Sequence, residues 1–332
     1  MEEKPYVFVT RKVPATSLAL LQEIAEVEVW PKEDEPVPYA VLKEKAKKAT
    51  GLFTMLSDRI DGGLLAEAKQ LKVVANLAVG FDNIDVEAAT VHGVVVCHTP
   101  DVLSDTTADL TFALLMAVAR RIVEAAEYVK KGDWQNWAPL LLAGHDIHHK
   151  TIGIVGMGRI GTAVAKRAKG FDMTVLYHNR TRDYEGERTI GASYVAFDEL
   201  VSRSDFIVCL APLTDETANL FTYNTFNQMK ESAIFVNVSR GAVVVEEDLE
   251  KALENNLIAG AGLDVFREEP ISHGHPLLRF PNVVALPHIG SASKETREKM
   301  ASMSSGHIIN VLKGEKPEAM VNDVYGRRGP NY

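Results

Sequence analysis

The stretch Lys150–Gly161, KTIGIVGMGRIG, constrains the fold more than any other part of the chain. Thr151–Val155 is a short apolar, β-branched run that reads as a buried parallel strand, and it breaks into Gly156-Met157-Gly158-Arg159-Ile160-Gly161. Thr162 to Lys169 continues as a helix that Gly170 can end with a left-handed cap. Each glycine has a task in this setting. Gly156 makes the tight turn, Gly158 lets the backbone approach a pyrophosphate, and Gly161 lets helix and strand pack closely. The helix N-terminus turns free N–H groups and a partial positive charge toward the phosphates. Strand, glycine loop and helix together point to a dinucleotide site, which a bare glycine pattern would not.

At 332 residues and 46% hydrophobic content the chain exceeds what one compact α/β domain usually holds, so two domains are expected. The formal charge of −9 comes from interspersed acids and bases, which gives neither nucleic acid nor an anionic membrane surface a patch to bind. Cys97 and Cys209 lie inside apolar runs and read as buried thiols in a reducing compartment. No apolar run approaches the length of a membrane span, and a soluble, cytoplasmic protein is expected.

Up to about residue 98, strand candidates (Tyr6–Thr10, Val27–Trp30, Leu52–Met55, Val73–Leu77, Val94–Cys97) alternate with helical patterns at Thr16–Ala25, Tyr39–Ala49, Gly63–Ala68 and Val86–His92, the last with Asp85 as N-cap. This is a doubly wound unit without a glycine fingerprint, which suits it to substrate contacts. Its strand-end loops Met55-Leu56-Ser57-Asp58 and Ala78-Val79-Gly80-Phe81-Asp82 lie where open α/β sheets bind ligands. Gly80 could offer backbone N–H groups to a carboxylate; an ordinary turn glycine fits the same residues.

The longest helical pattern runs from Val102 to about Lys131, and its middle, LTFALLMAVA, is apolar nearly all round. Such a helix must be covered on more than one side, between domains or against another subunit. Trp134 and Trp137 follow in an apolar excursion that favours a symmetric homodimer. His145, His148 and His149 crowd the same loop without a carboxylate or cysteine shell, so a solvated loop suffices and no metal is expected.

Beyond the glycine loop, strands are expected at Thr174–Tyr177, Phe206–Leu210, Ile234–Asn237, Ala259–Leu263 and Val283–Leu286, and helices at Asp198–Ser202, Tyr223–Met229, Glu246–Asn255 and Lys294–Lys313. The tail after Gly314 shows little pattern. Arg240, Glu269 and His288 each follow a strand end, the edge where this fold places its ligands. A guanidinium can grip a carboxylate by two parallel bonds, and a histidine held by a carboxylate can exchange a proton. Taken singly, the same three fit a surface arginine, a solvated glutamate and a capping histidine.

VGMGRIG, NVSRGAVVVEEDL, GLDVFREEP and LPHIGSAS, in this order and spacing, resemble the signature blocks of the D-isomer-specific 2-hydroxyacid dehydrogenases. MLSDRID, AVGFDNID, TPDVLSDTTADLTFALLMAVARR and the WQNWAPLLLAG region resemble that family's glyoxylate/hydroxypyruvate reductase branch. The resemblance implies an α/β protein of two doubly wound parallel-sheet domains. One is a discontinuous flavodoxin-like substrate domain, residues 1–100 and 290–332; the other is a Rossmann nucleotide-binding domain, residues 101–289, with a dimerisation segment near 103–149.

It further implies NAD(P)H-dependent reduction of a small 2-oxo acid, glyoxylate or hydroxypyruvate, to the 2-hydroxy acid. His288 is then the proton donor, Glu269 orients and charges it, and Arg240 binds the substrate with Leu56, Val79 and Gly80. Besides Gly156, Met157, Gly158, Arg159, Ile160 and Gly161, the implied cofactor contacts are Thr107, Pro212, Thr217, Val238, Ser239, Asp264 and Gly290, with Arg240 and His288. A 2-ketogluconate reductase, another D-2-hydroxyacid dehydrogenase or a nucleotide-sensing corepressor-like protein remain alternatives. A formate-dehydrogenase-like enzyme fits less well, because that branch has glutamine where Glu269 stands.

The position for the ribose-binding acid, at the end of the strand after the glycine helix, falls on Asn179. Arg180-Thr181-Arg182 follows and offers a guanidinium and a hydroxyl where a 2′-phosphate would lie. NADPH is therefore expected to be preferred, with NADH possible because Asn179 can bond an unphosphorylated ribose.

Overall fold

The computed structural model describes residues 4–324, which fall into two compact units, one running to Leu103 and resuming at Ser293, the other Ser104–Ala292. The ends of the proposed substrate domain, residues 1–3 and 325–332, lie outside the described residues.

The first unit contains β1 (Tyr6–Val9), α1 (Ala15–Ile24), β2 (Glu26–Val29), α2 (Tyr39–Lys48), β3 (Gly51–Thr54), α3 (Gly62–Glu67), β4 (Val73–Asn76), α4 (Val86–Val91) and β5 (Val95–Cys97). A C-terminal helix, Lys294–Leu312, packs against α1, β3 and β4. The strands are all parallel in the order β2-β1-β3-β4-β5, with Val7 opposite Gly51 and Gly51 opposite Val73. Strands β3, β4 and β5 are buried along their whole length, as parallel strands covered on both faces must be. The order reverses between β1 and β3, so the loops after these strands meet at a switch point. Asp61, Asp85 and Ser293 each accept a hydrogen bond from the amide three residues on, a cap typically worth ~1 kcal/mol. The featureless tail has a definite task. Val321 N–H donates to Val96 O at 2.8 Å and Asn322 Oδ1 accepts from Val96 N–H at 2.8 Å, which covers the open edge of β5.

The second unit begins with α5 (Ser104–Ala119) and α6 (Ile122–Lys130) and continues through β6 (Thr151–Val155), α7 (Arg159–Lys169), β7 (Thr174–His178), α8 (Tyr184–Ile190), β8 (Ser193–Tyr194) and α9 (Phe197–Arg203). There follow β9 (Phe206–Cys209), α10 (Tyr223–Asn227), β10 (Ile234–Asn237), α11 (Glu246–Glu254), β11 (Gly260–Leu263) and β12 (Val283–Ala285). Its parallel sheet runs β12-β11-β10-β9-β6-β7-β8 and reverses at β6, the strand that feeds the glycine loop. Among the described residues no helix is long and apolar enough to cross a membrane.

Three expectations need correction. The pattern from Val102 to Lys131 is two helices, broken where Arg121 adopts a left-handed φ of 51° and holds Glu124 through two bonds of 2.8 and 2.7 Å. LTFALLMAVA is covered inside its own unit by α7, β10 and β11, with Leu114 and Leu115 buried, so its apolar character does not call for a second subunit. Gly170 is right-handed at φ −64°; the end of α7 tightens into i→i+3 bonds, and Asp172, at φ 53°, makes the left-handed turn instead. The small α8–β8 excursion carries too few apolar residues to show in the pattern.

Candidate active site

The residues with acid–base potential stand on three loops at the C-terminal edge of the second unit's sheet. Strand β10 ends in Asn237, which is 1% exposed. Its Oδ1 accepts from Ser239 N–H (3.1 Å) and Oγ–H (2.8 Å), and its Nδ2 donates to Arg240 O (3.0 Å). The Val238-Ser239-Arg240 turn is thus folded over one buried amide, and Arg240 Nη1 donates to Ser239 O at 2.8 Å. Gly241 follows; a Cβ there would stand 1.8 Å from the carbonyl carbon of Phe266, so only glycine lets this turn touch the loop after β11.

In that loop Asp264 is buried and binds the turn after β12. Its carbonyl accepts from His288 N–H (2.9 Å), and its carboxylate accepts from the amides of Ile289 (2.8 Å) and Gly290 (2.7 Å). Burial pushes the Asp264 carboxyl up, against the pull of those amides and of His288. The clamp holds His288 at a left-handed φ of 54°. Glu269 accepts Phe266 N–H at Oε1 (2.9 Å) and faces His288 Nδ1 with Oε2 at 2.7 Å. Burial acts to raise its carboxyl, but the hydrogen bond and charge of His288, the Phe266 amide and the Arg240 guanidinium together bring it below the usual carboxylate range. An ionised Glu269 fixes the proton on Nδ1 of a neutral ring and leaves Nε2 as the exchanging atom. The geometry brings Arg240, Glu269 and His288 together and can transfer a proton beside a bound anion.

The glycine loop fits a dinucleotide. Gly156 has φ 101° and would place a Cβ 2.5 Å from Ala211 N, and a Cβ at Gly161 would stand 2.4 Å from Gly156 O. A Cβ on Gly158 would meet nothing within 4 Å, so the backbone beside the start of α7 is open to a phosphate. The loop is braced by Asn179, whose Oδ1 accepts from Met157 N–H (2.6 Å) and whose Nδ2 donates to Met157 O (3.1 Å). Thr107, Val238, Asp264 and Gly290 converge: a Cβ on Gly290 would lie 3.2–3.4 Å from the other three. Thr217 Oγ1 donates to Pro212 O at 2.6 Å in the turn after β9. Thr181 is exposed, and Arg180, 83% exposed, lies 3.7 Å from Glu216. Arg182 is bound by Glu187 through bonds of 2.6 and 2.8 Å.

In the first unit Leu56 lies in a turn closed by Asp58 N–H to Met55 O (3.0 Å), and Val79 O accepts from His98 Nδ1 (2.8 Å). Sequence reasoning passed over Asn237, Asn76, Asn83 and His98. The available signal was a polar residue closing an apolar strand, as in IFVN and VVAN. A cavity of about 260 Å³ lined by Ala117, Arg121, Gly144, His145, Ile234 and Asn282 lies at the opposite, N-terminal edge of the second sheet and contains none of the acid–base residues.

A dinucleotide loop and a carboxylate-held imidazole on one sheet edge are the parts a nicotinamide-dependent oxidoreductase requires. The model of the D-isomer specific 2-hydroxyacid dehydrogenase NAD-binding domain matches residues 112–290. A glyoxylate reductase of Thermococcus onnurineus is 48% identical over 99% of both chains. A Thermus thermophilus protein of known structure superposes with a TM-score of 0.90 at 45% identity, over 96% of this chain and all of that one. An NADPH-dependent glyoxylate/hydroxypyruvate reductase of Sinorhizobium meliloti, solved with NADP and malonate, gives 0.84 at 29% identity over 96% and 97% of the two chains. The chain belongs to the D-isomer-specific 2-hydroxyacid dehydrogenases.

Proposed function

We propose that the protein reduces glyoxylate, and hydroxypyruvate with it, to the 2-hydroxy acid at the expense of NADPH. The observation that carries this reading is the 2.7 Å contact between His288 Nδ1 and Glu269 on the edge that also bears Arg240. The bound nicotinamide supplies the hydride. His288 gives its Nε2 proton to the ketone oxygen as negative charge develops there, and Glu269 compensates the imidazolium that carries that proton. Arg240 grips the 2-oxo acid by paired hydrogen bonds and sets the carbonyl in line. Leu56, Val79 and Gly80 are the substrate contacts of the first unit. Residues Gly156–Gly161, with Thr107, Pro212, Thr217, Val238, Ser239, Asp264 and Gly290, hold the cofactor. Loss of nicotinamide absorbance on adding glyoxylate tests the reaction; no turnover with either cofactor refutes it.

Two features support NADPH over NADH. Asn179, whose amide braces Met157, stands where the pattern puts a ribose-binding carboxylate, so no acidic side chain there repels a 2′-phosphate, and Arg180 is exposed at the same strand end. Titrating each cofactor by fluorescence decides this, and tighter NADH binding overturns it.

A homodimer fits the surface that remains once α5 is covered. None of the α6 side chains is buried, and Trp137 and Leu140 are 74% and 85% exposed. A monomer in light scattering at micromolar concentration refutes the dimer. Buried Cys97 and Cys209, their thiols pushed up to about 12 and about 11, fit a reducing cytoplasm.

A further inference from the structure

Two carbonyls of the Val79-Gly80-Phe81 backbone are held by side chains. His98 Nδ1 donates to Val79 O at 2.8 Å, and Asn76 Nδ2 donates to Gly80 O at 3.0 Å. Both peptide bonds of this stretch are trans, and in a trans peptide the N–H points opposite to the C=O. Fixing the Val79 carbonyl therefore aims the Gly80 N–H the other way, and fixing the Gly80 carbonyl does the same for the Phe81 N–H. Among the described residues, neither of these amides donates a hydrogen bond.

The two holding side chains are themselves fixed. Asn76 is fully buried, accepts Thr54 Oγ1 at 3.0 Å, and donates to Asn83 Oδ1 at 3.1 Å. Asn83 Nδ2 in turn donates to Met55 O (3.1 Å) and Asp58 O (2.8 Å), which joins the two strand-end loops. His98 is pinned through its main chain to Ala319 O (3.2 Å) and His307 Nε2 (3.2 Å), and the Phe81 ring meets its imidazole edge-on at 5.7 Å.

We propose that His98 and Asn76 are positioning residues that make the amides of Gly80 and Phe81 a two-donor receptor for the substrate carboxylate. The inference rests on the reading of Val79 and Gly80 as substrate contacts. Adjacent amides aimed at one point form an anion-binding concavity, and its affinity depends on how firmly the carbonyls behind them are held.

The test compares wild type with His98→Ala and His98→Asn, whose side-chain amide restores a donor near the place of Nδ1. For His98→Ala the KM for glyoxylate should rise roughly tenfold, the scale of one lost hydrogen bond, with kcat and NADPH affinity nearly unchanged. His98→Asn should recover most of that rise. Equal KM values in all three proteins, or a His98→Asn as impaired as His98→Ala, overturn the proposal. Wild-type protein supplies a second readout: the Gly80 and Phe81 amide resonances should shift downfield on titration with oxamate, and unmoved resonances refute the receptor even if a variant fails to fold. Absence of glyoxylate turnover in wild type would instead refute the functional reading. A KM raised by Arg240→Lys but indifferent to His98 would refute only the positioning role.

Discussion

Each sheet has a strand that ends in a buried asparagine, and the two asparagines are put to different use. Asn76 closes β4 and Asn237 closes β10; each turns its side-chain amide into the following loop, to Gly80 O and Arg240 O at 3.0 Å. In the first unit the loop so organised offers backbone N–H groups. In the second it presents a guanidinium, next to a glutamate and an imidazole on neighbouring strand ends. A parallel sheet thus delivers the same device twice, a strand end whose last polar side chain shapes a loop, and the proposed tasks, holding an anion and moving a proton, differ with the groups mounted on that loop.

If chemistry resides only in the second unit, removing the proposed proton donor must have the largest effect. His288→Ala is expected to lower kcat by ~10²–10⁴, with NADPH affinity retained, because a placed acid is typically worth that much. Steady-state rates and fluorescence titration check it, and a variant with near-native turnover would break the comparison at its root.

Gly241 comes next, since the second unit's loops depend on backbone-to-backbone contact. A Cβ 1.8 Å from Phe266 must push apart the segments carrying Arg240 and Glu269. Gly241→Ala should cost on the order of 1–3 kcal/mol or more of stability, and most of the activity with it. Chemical denaturation with parallel assays would show this, and an alanine variant of wild-type stability and rate would contradict the packing argument.

Arg180→Ala probes the nucleotide end alone. A lost guanidinium–phosphate interaction should weaken NADPH by roughly 10- to 100-fold while NADH is nearly unaffected. Equal losses for both cofactors would show that Arg180 does not read the phosphate.

Much of this was legible in the sequence because it depends on residue type at fixed spacing. The glycine loop, the strands around it and the positions of Arg240, Glu269 and His288 after strand ends follow from pattern. What did not show depends on geometry across distant segments. The break at Arg121 is a backbone conformation within a continuous helical pattern, and the edge contact of Val321 and Asn322 joins residues more than two hundred positions from their partners. The brace that the Asn179 amide gives Met157 joins residues 22 positions apart, and nothing in the sequence reveals it.

The smallest expected effect sets one carboxyl from each unit against the other, Glu269 and Asp58, which burial perturbs with opposite outcomes. In the second unit Glu269 is brought below the ordinary range despite its burial, by His288, the Phe266 amide and Arg240. In the first, burial pushes Asp58 up and outweighs Thr10, the Met55 amide and Arg11; the residue is 3% exposed and its Oδ1 has no partner among the described residues. A depressed folded-state pKa contributes stability that is present above the unfolded value and lost as pH falls through the folded one. A raised pKa gives the reverse: its contribution is complete below the unfolded value and lost as pH rises through the folded one. Thermal unfolding of Glu269→Gln and Asp58→Asn beside wild type, from acid to neutral pH, should therefore give difference curves of opposite slope. Wild type should gain on Glu269→Gln as pH rises and lose ground to Asp58→Asn. Any fixed cost of exchanging a carboxyl for an amide shifts a curve without changing its slope, so two difference curves that slope in the same direction would remove the distinction between the two carboxyls.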